Sequence, residues 1–378
     1  MIEDFKVLIR EIYGDEKPIV LHRPVFSGSE RQDLVECIDS NFVSSVGAKV
    51  AEFEGLIADF VGSSYGIAVV NGTNALQVAL RIVGVEREHE VITQPLTFVA
   101  TCNAISYLGA RPVFVDVDRS TLGISPAALM KFLEKWGERR EGVCFNRYSG
   151  RRLAACLPMH TFGHPSQIDE ISRICAEWGI TLVEDAAESL GSFYKGKHTG
   201  TFGQIGVFSF NGNKIITTGG GGMIVTDNPE LGSRAKHLTT TAKSPHPYEF
   251  WHDAVGYNFR MPNLNAALGC AQIQQLDGFL AAKRQVAERY SSFCKDHGVE
   301  FVTEPAGARS NYWLNAIILG SKRERDDLLE VTNSAGIMTR PIWRLMIDLP
   351  MYSDCQHDGL PMSRWLEDRV VCLPSSVP

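Results

Sequence analysis

Lys214 lies in Asn211-Gly212-Asn213-Lys214, after the apolar run Ile205–Phe210 and before Ile215-Ile216-Thr217-Thr218 and four glycines, Gly219–Gly222. Upstream, Ile180–Val183 reads as a short buried strand ending in Glu184-Asp185-Ala186-Ala187-Glu188. A primary amine on a glycine-flanked loop can bond an aldehyde carbon as a Schiff base. A carboxylate at a neighbouring strand end can keep a ring nitrogen protonated so that the ring accepts electrons. Taken singly, a loop lysine is usually a solvated surface group and an aspartate ending a strand a cap. In this order, beside Ser209, they describe a site at the carboxyl edge of a parallel sheet.

A third group suits an anion. Tyr65–Val70 reads as a strand, Asn71-Gly72-Thr73-Asn74 as a turn and Ala75–Val83 as a helix with Leu76, Ala79, Leu80 and Val83 on one face. Free backbone N–H groups and the positive end of the helix dipole point the same way there. The competing reading is an ordinary helix cap.

Other patterns carry less. His160 and His164 have the i, i+4 spacing of a zinc helix, but Gly163 and Pro165 break the helix and no glutamate lies between them, so no metal is expected. The run Gly219–Gly222 leads into a strand, Met223–Thr226, and so is not a dinucleotide fingerprint. Nine cysteines without a CxxC spacing read as reduced thiols.

The elements that must position these groups read as strands separated by helix-length segments: Glu90–Thr93, Arg111–Val117 and Leu153–Pro158 besides those above. That pattern implies βαβ crossovers and a mainly parallel sheet covered on both faces. Gly137–Arg152, with Arg139, Arg140, Arg147, Arg151 and Arg152, reads as a solvated basic loop. From about Pro245 the texture changes to a long helical region, Asn265–Phe293, strands near Val299–Thr303 and Tyr312–Leu319, and a charged helix, Lys322–Ala335. The expected division is 1–245, an N-terminal helix and large domain, and 246–378, a smaller α/β domain.

With 378 residues, 44% hydrophobic and 21% charged, the chain has the composition of a soluble two-domain protein. A net charge of −7 argues against a general nucleic-acid binder. The first residues, MIEDFKVLIREIY, place Ile2, Phe5, Ile9 and Ile12 at helical spacing with charges between, an amphipathic helix and not a signal peptide. No run approaches the roughly 20 apolar residues of a membrane span, so the expected location is the cytoplasm.

VEDAAESLGS and FSFNGNKIITTGGGGM, within a match running from about Pro24 to the C-terminus, resemble the pyridoxal-phosphate sugar aminotransferases of the DegT/StrS family. The resemblance implies the aspartate-aminotransferase-like α/β fold (fold type I), with a mainly parallel seven-stranded sheet, a small domain and a homodimer with shared sites. It implies pyridoxal 5'-phosphate as cofactor, Lys214 as its covalent attachment and general base, and Asp185 as partner of the ring nitrogen. Phe98 would stack on the ring, Gly72, Thr73 and Ser209 would hold the phosphate, and Asn258 would reach the partner's phosphate. Glu188 would lie close to cofactor and substrate. Ser44, Ser45, His160, Asn213, Arg340 and Trp343 are candidates for substrate contact. Expected substrates are glutamate and a nucleotide keto-sugar, and the form SFNGNKIITT with TRPIW looks most like enzymes acting on UDP-4-keto-6-deoxy-N-acetylglucosamine. Relatives that dehydrate the sugar carry histidine where Lys214 stands. A non-catalytic pyridoxal-phosphate-binding regulator is the rival, but the two domains leave no room for a nucleic-acid module.

Overall fold

Alternating buried strands and amphipathic helices between Tyr65 and Thr226 form one seven-stranded sheet in the computed structural model, which describes residues 1–378. Its order is Tyr65–Val69, Gly222–Thr226, Ile205–Ser209, Thr181–Asp185, Leu153–Leu157, Glu90–Thr93 and Arg111–Phe114. Gly222–Thr226 runs antiparallel to both of its neighbours, while the remaining pairs are parallel. Leu153–Leu157 and Gly222–Thr226 are buried along their whole length, as helices on both faces require.

The antiparallel strand sets the register at the site. Gly222 pairs with Val69 on one side and with Ser209 on the other. A Cβ at Gly222 would come within 2.5 Å of the Asn71 carbonyl oxygen and 2.8 Å of the Gly72 nitrogen. Only glycine lets the turn after Tyr65–Val69 pass this close to the end of Ile205–Ser209.

The smaller unit is an antiparallel sheet of Glu300–Phe301, Asn315–Ile318, Val370–Leu373 and Arg340–Pro341, packed with helices Leu276–Asp296 and Lys322–Ser334. The expected division at 245/246 differs from the packing. Helix Ile2–Tyr13 buries Phe5, Ile9 and Ile12 against Val286, Tyr290, Leu328 and Val371 of the smaller unit. Ile19 then bridges to Ile337. Conversely, helix Asn263–Ile273 lies on Ala48–Val61, where Gly269 leaves space for the Phe53 ring. An apolar stripe shows that a helix must be covered, not by which part of the chain.

Two further expectations change. The helical region Asn265–Phe293 is two helices, Asn263–Ile273 and Leu276–Asp296, with Gln275 turning back to the Ala271 carbonyl and to Glu30. The basic segment 137–152 contains a hairpin, Gly137–Arg140 with Val143–Asn146, and pairs Arg140 with Glu138 and Arg151 with Glu88. No helix is long and apolar enough to cross a membrane.

His164 lies between the units, fully buried, edge-on to Tyr312 at 5.3 Å between ring centroids and with both nitrogens unpartnered. Burial pushes its pKa from 6.5 down to about 4, against a small opposing pull from Glu304. Between those two values the unfolded chain binds a proton that the folded chain does not, so stability falls as pH drops from about 6.5 toward 4. The full loss from this residue is about 3 kcal/mol. His164→Phe should therefore flatten the fall in urea midpoint between pH 7 and pH 5, and an unchanged slope would contradict this account.

Candidate active site

The carboxyl ends of four strands meet at one cavity of about 900 Å³ between the two units. Asp185 ends Thr181–Asp185 and is 2% exposed. Its carboxylate accepts a hydrogen bond from the Thr101 hydroxyl at 2.7 Å and one from the Ala187 N–H at 3.2 Å. Burial raises its pKa, while those two donors and the charge on Lys214 oppose the rise. The donors thus favour the ionised form that burial disfavours.

Glu184 precedes Asp185 and, by the strand alternation, faces the other way. It accepts backbone N–H bonds from Gly200, Phe202 and Gly203 and lies 3.0 Å from His160 Nε2. Nδ1 of His160 accepts from the Ser166 N–H, so Nε2 carries the proton given to Glu184. His160, suggested above for substrate contact, is fully buried behind the sheet edge and does not line the cavity.

Lys214 sits on the turn after Ile205–Ser209, its own N–H bonded to the Asn211 carbonyl. Its Nζ donates to Glu188 Oε1 at 3.3 Å and lies 4.0 Å from the centroid of the Trp313 indole. The indole N–H donates to the Asn213 carbonyl at 2.7 Å, so one tryptophan holds both the lysine and its loop. Glu188 takes a second bond from the Phe162 N–H. Burial pushes its pKa up to about 7, opposed by Lys214 and reinforced by Asp185. An acid so placed exchanges protons at neutral pH.

The anion pocket lies beside these groups. The helix is longer than the sequence suggests, Gly72–Ile82, so Gly72 and Thr73 form its first turn. The Asn71 side chain accepts from the Asn74 N–H at 2.8 Å and fixes the helix start, which leaves the first N–H groups free for a ligand. Ser209 stands against Gly72, where a Cβ would meet its Oγ at 3.2 Å. Backbone N–H groups, two hydroxyls, a buried carboxylate and an amine in one cavity fit a cofactor with a phosphate, a basic ring nitrogen and an aldehyde.

Gly72, Thr73, Phe98, Asp185, Glu188, Ser209, Asn213, Lys214, Arg340 and Trp343 all line this cavity. Phe98 precedes helix Val99–Tyr107 and is 52% exposed at the cavity. Ser44, Ser45 and Asn258 do not line it. They share another surface, where the Ser44 carbonyl accepts from the Asn263 N–H and the Ser45 carbonyl from Arg260. Exposed Asn258 bridges to Thr240 beside them. Sequence reasoning missed Thr101, Trp313 and His22. Thr101 stands three residues after Phe98 and was within reach of a helix-period argument, whereas Trp313 and His22 carry no local signal.

The profile of the DegT/DnrJ/EryC1/StrS aminotransferase family matches residues 26–378. The chain is 35% identical over 359 residues to the GDP-perosamine synthase of Escherichia coli O157:H7, covering 95% of this chain and 93% of that one. It is 36% identical over 364 residues to EpsN of Bacillus subtilis (strain 168), provisionally named a pyridoxal phosphate-dependent aminotransferase, covering 95% and 91%. The crystal structure of a DegT DnrJ EryC1 StrS aminotransferase from Brucella abortus superposes with a TM-score of 0.83 at 27% identity, covering 92% of this chain and 90% of that one. A match across nearly the whole chain, with the amine, carboxylate and anion pocket gathered in one cavity, places the protein in the DegT/DnrJ/EryC1/StrS aminotransferase family.

Proposed function

We propose that the protein moves an amino group from glutamate to the keto carbon of a nucleotide-linked deoxy sugar. The observation that carries this is the convergence of Lys214, Asp185 and the Gly72–Thr73–Ser209 pocket in a chain of aminotransferase family. The enzyme is a sugar aminotransferase, and its cofactor is pyridoxal 5'-phosphate. When bound, the cofactor withdraws electrons from the carbon that carries the amino group.

In this reading Gly72, Thr73 and Ser209 hold the phosphate, Phe98 covers one face of the ring and Lys214 Nζ is the point of covalent attachment. Asp185 supplies the charge that keeps the ring nitrogen protonated, and loss of one member of such a buried pair costs about 3–5 kcal/mol. Once displaced by the donor's amine, Lys214 Nζ takes up and hands back the proton of the carbon bearing the amino group. Glu188, balanced near pH 7 and 3.3 Å from Nζ, holds the proton that Lys214 must shed to act as a base. Arg340 and Arg344 lie on the cavity wall with Trp343, which suits a diphosphate and a flat base.

The motif SFNGNKIITT suggested a UDP-linked 4-keto sugar, whereas the named relative above is a GDP-perosamine synthase. The motif surrounds the cofactor amine and not the nucleotide, so we favour a GDP-linked keto-deoxy sugar as acceptor, with the UDP sugar as the second reading. Lysine at position 214 disfavours sugar dehydration, and the aminotransferase family match over residues 26–378 favours the enzyme over a non-catalytic regulator.

We also propose a homodimer in which Asn258 serves the partner's phosphate pocket. It is exposed outside its own cavity, and Phe42, Val46, Tyr248, Phe250, Trp251 and Val255 are exposed in neighbouring segments of the chain. Isolated surface apolar residues are ordinary, and in this reading these six lie on the face that the partner covers.

Three measurements test these readings. Borohydride reduction of the yellow holoenzyme should fix the cofactor on Lys214, and label on Lys195 or Lys197 would overturn the assignment. Incubation with glutamate and a panel of GDP-, UDP- and thymidine-linked keto-sugars, read by mass spectrometry, should give an amino sugar from the GDP-linked compound. Efficient amination of the UDP compound alone would return the acceptor to the second reading. Mixing inactive Lys214→Ala with impaired Asn258→Ala under confirmed subunit exchange should restore about a quarter of all sites. Activity left at the mean of the two parents would rule out sharing.

A further inference from the structure

We propose that His22 reads the sugar: its imidazole hydrogen-bonds a ring hydroxyl of the keto-sugar acceptor and sets acceptor specificity. Val20, Leu21 and His22 leave the Ile19–Ile337 bridge and run along the cavity wall. The backbone is pinned on both sides of the histidine. Ser375 N–H donates to the Leu21 carbonyl at 2.7 Å, and Arg23 N–H donates to Ser376 Oγ at 2.9 Å. The backbone that carries the ring is therefore tied to the segment after Val370–Leu373 of the smaller unit.

Both ring nitrogens of His22 are shielded from solvent and have no partner. A buried polar group without a partner costs about 1–3 kcal/mol. His160 and His198 place both of their nitrogens in hydrogen bonds. Five other residues have buried polar side-chain atoms without partners: Arg152, His164, Trp178, Asn315 and Gln356. None of these lines the cavity, and His22 does. A buried group without a partner calls for an explanation, and at the cavity wall a bound ligand supplies one.

The charge state narrows the ligand group. Burial and the positive charges of Lys283 and Lys214 lower the His22 pKa well below its ordinary value, so the ring is neutral. A neutral imidazole offers one donor and one acceptor, the complement of a hydroxyl. A carboxylate of the amino donor or a phosphate would seek a cation, and the cavity provides Lys214, Arg340 and Arg344 for those. A site that hydrogen-bonds a substrate hydroxyl also rejects the analogue lacking it, which makes this a specificity contact.

The inference rests on the sugar aminotransferase reading, and stopped-flow spectroscopy of the two half-reactions separates them. His22→Phe keeps a ring without the nitrogens and should weaken the acceptor half-reaction about tenfold or more. The glutamate half-reaction should stay within about twofold, and His22→Asn should recover part of the loss. In parallel, the best acceptor and its analogues deoxygenated at each ring hydroxyl in turn are compared on the unaltered holoenzyme. One analogue should show the same loss, and His22→Phe should no longer distinguish it from the parent sugar. Equal slowing of both half-reactions would overturn the proposal, as would an unaltered enzyme indifferent to every deoxygenation. The deoxy series needs no variant to fold. If the unaltered holoenzyme runs neither half-reaction, the aminotransferase reading itself falls.

Discussion

Burying an ionised carboxylate costs several kcal/mol unless donors and an opposite charge surround it, and the site is arranged around meeting that cost for Asp185. Thr101 and the Ala187 N–H supply the donors, and Lys214 supplies positive charge from across the cavity. Each of these comes from a different strand connection. The carboxylate keeps its state only while the sheet holds these connections side by side. The neighbouring Glu184 uses the same device on the opposite face, with three backbone N–H groups and His160. The strand end therefore carries two buried acids, one toward the cavity and one bracing the loop behind it.

Gly222 is the second constraint. Its strand is the one antiparallel member of the sheet, and it brings the end of Tyr65–Val69 and the end of Ile205–Ser209 to a single residue. A side chain there would collide with Asn71 and Gly72 and displace the first turn of helix Gly72–Ile82 from Ser209. The pocket formed by that turn and Ser209 thus depends on a residue that contributes no polar side chain to it. The glycine run works through register, not through flexibility.

The cavity is closed from the other side by the smaller unit, and the largest apolar cluster runs unbroken from Phe53 and Phe210 to Trp313, Ile342 and Leu345. Trp313 crosses that junction to carry Lys214 and the Asn213 carbonyl. A change in packing between the units would therefore be felt at the amine, even though no residue of the loop itself had moved in sequence. The same junction carries His22, Arg340 and Trp343 to the cavity wall.

Much was legible in the sequence because it is written locally. Apolar runs separated by helix-length segments determine a parallel sheet, and glycines, Asn71 and the strand-end acid mark turns whose geometry depends on a few adjacent residues. Hence Lys214, Asp185, Ser209 and the Gly72–Thr73 turn could be singled out together before any contact was known, and all of them line one cavity. The tertiary structure decided what depends on direction and on distant partners. Adjacent Glu184 and Asp185 are equivalent in type, and only the register of Thr181–Asp185 sends one to the cavity and the other to His160. The apolar stripe of Ile2–Tyr13 was visible, but its burial against Tyr290 and Val371 was not. Trp313 and His22 reach the site from separate elements, and contacts across such chain distances leave no periodicity in the residues between them.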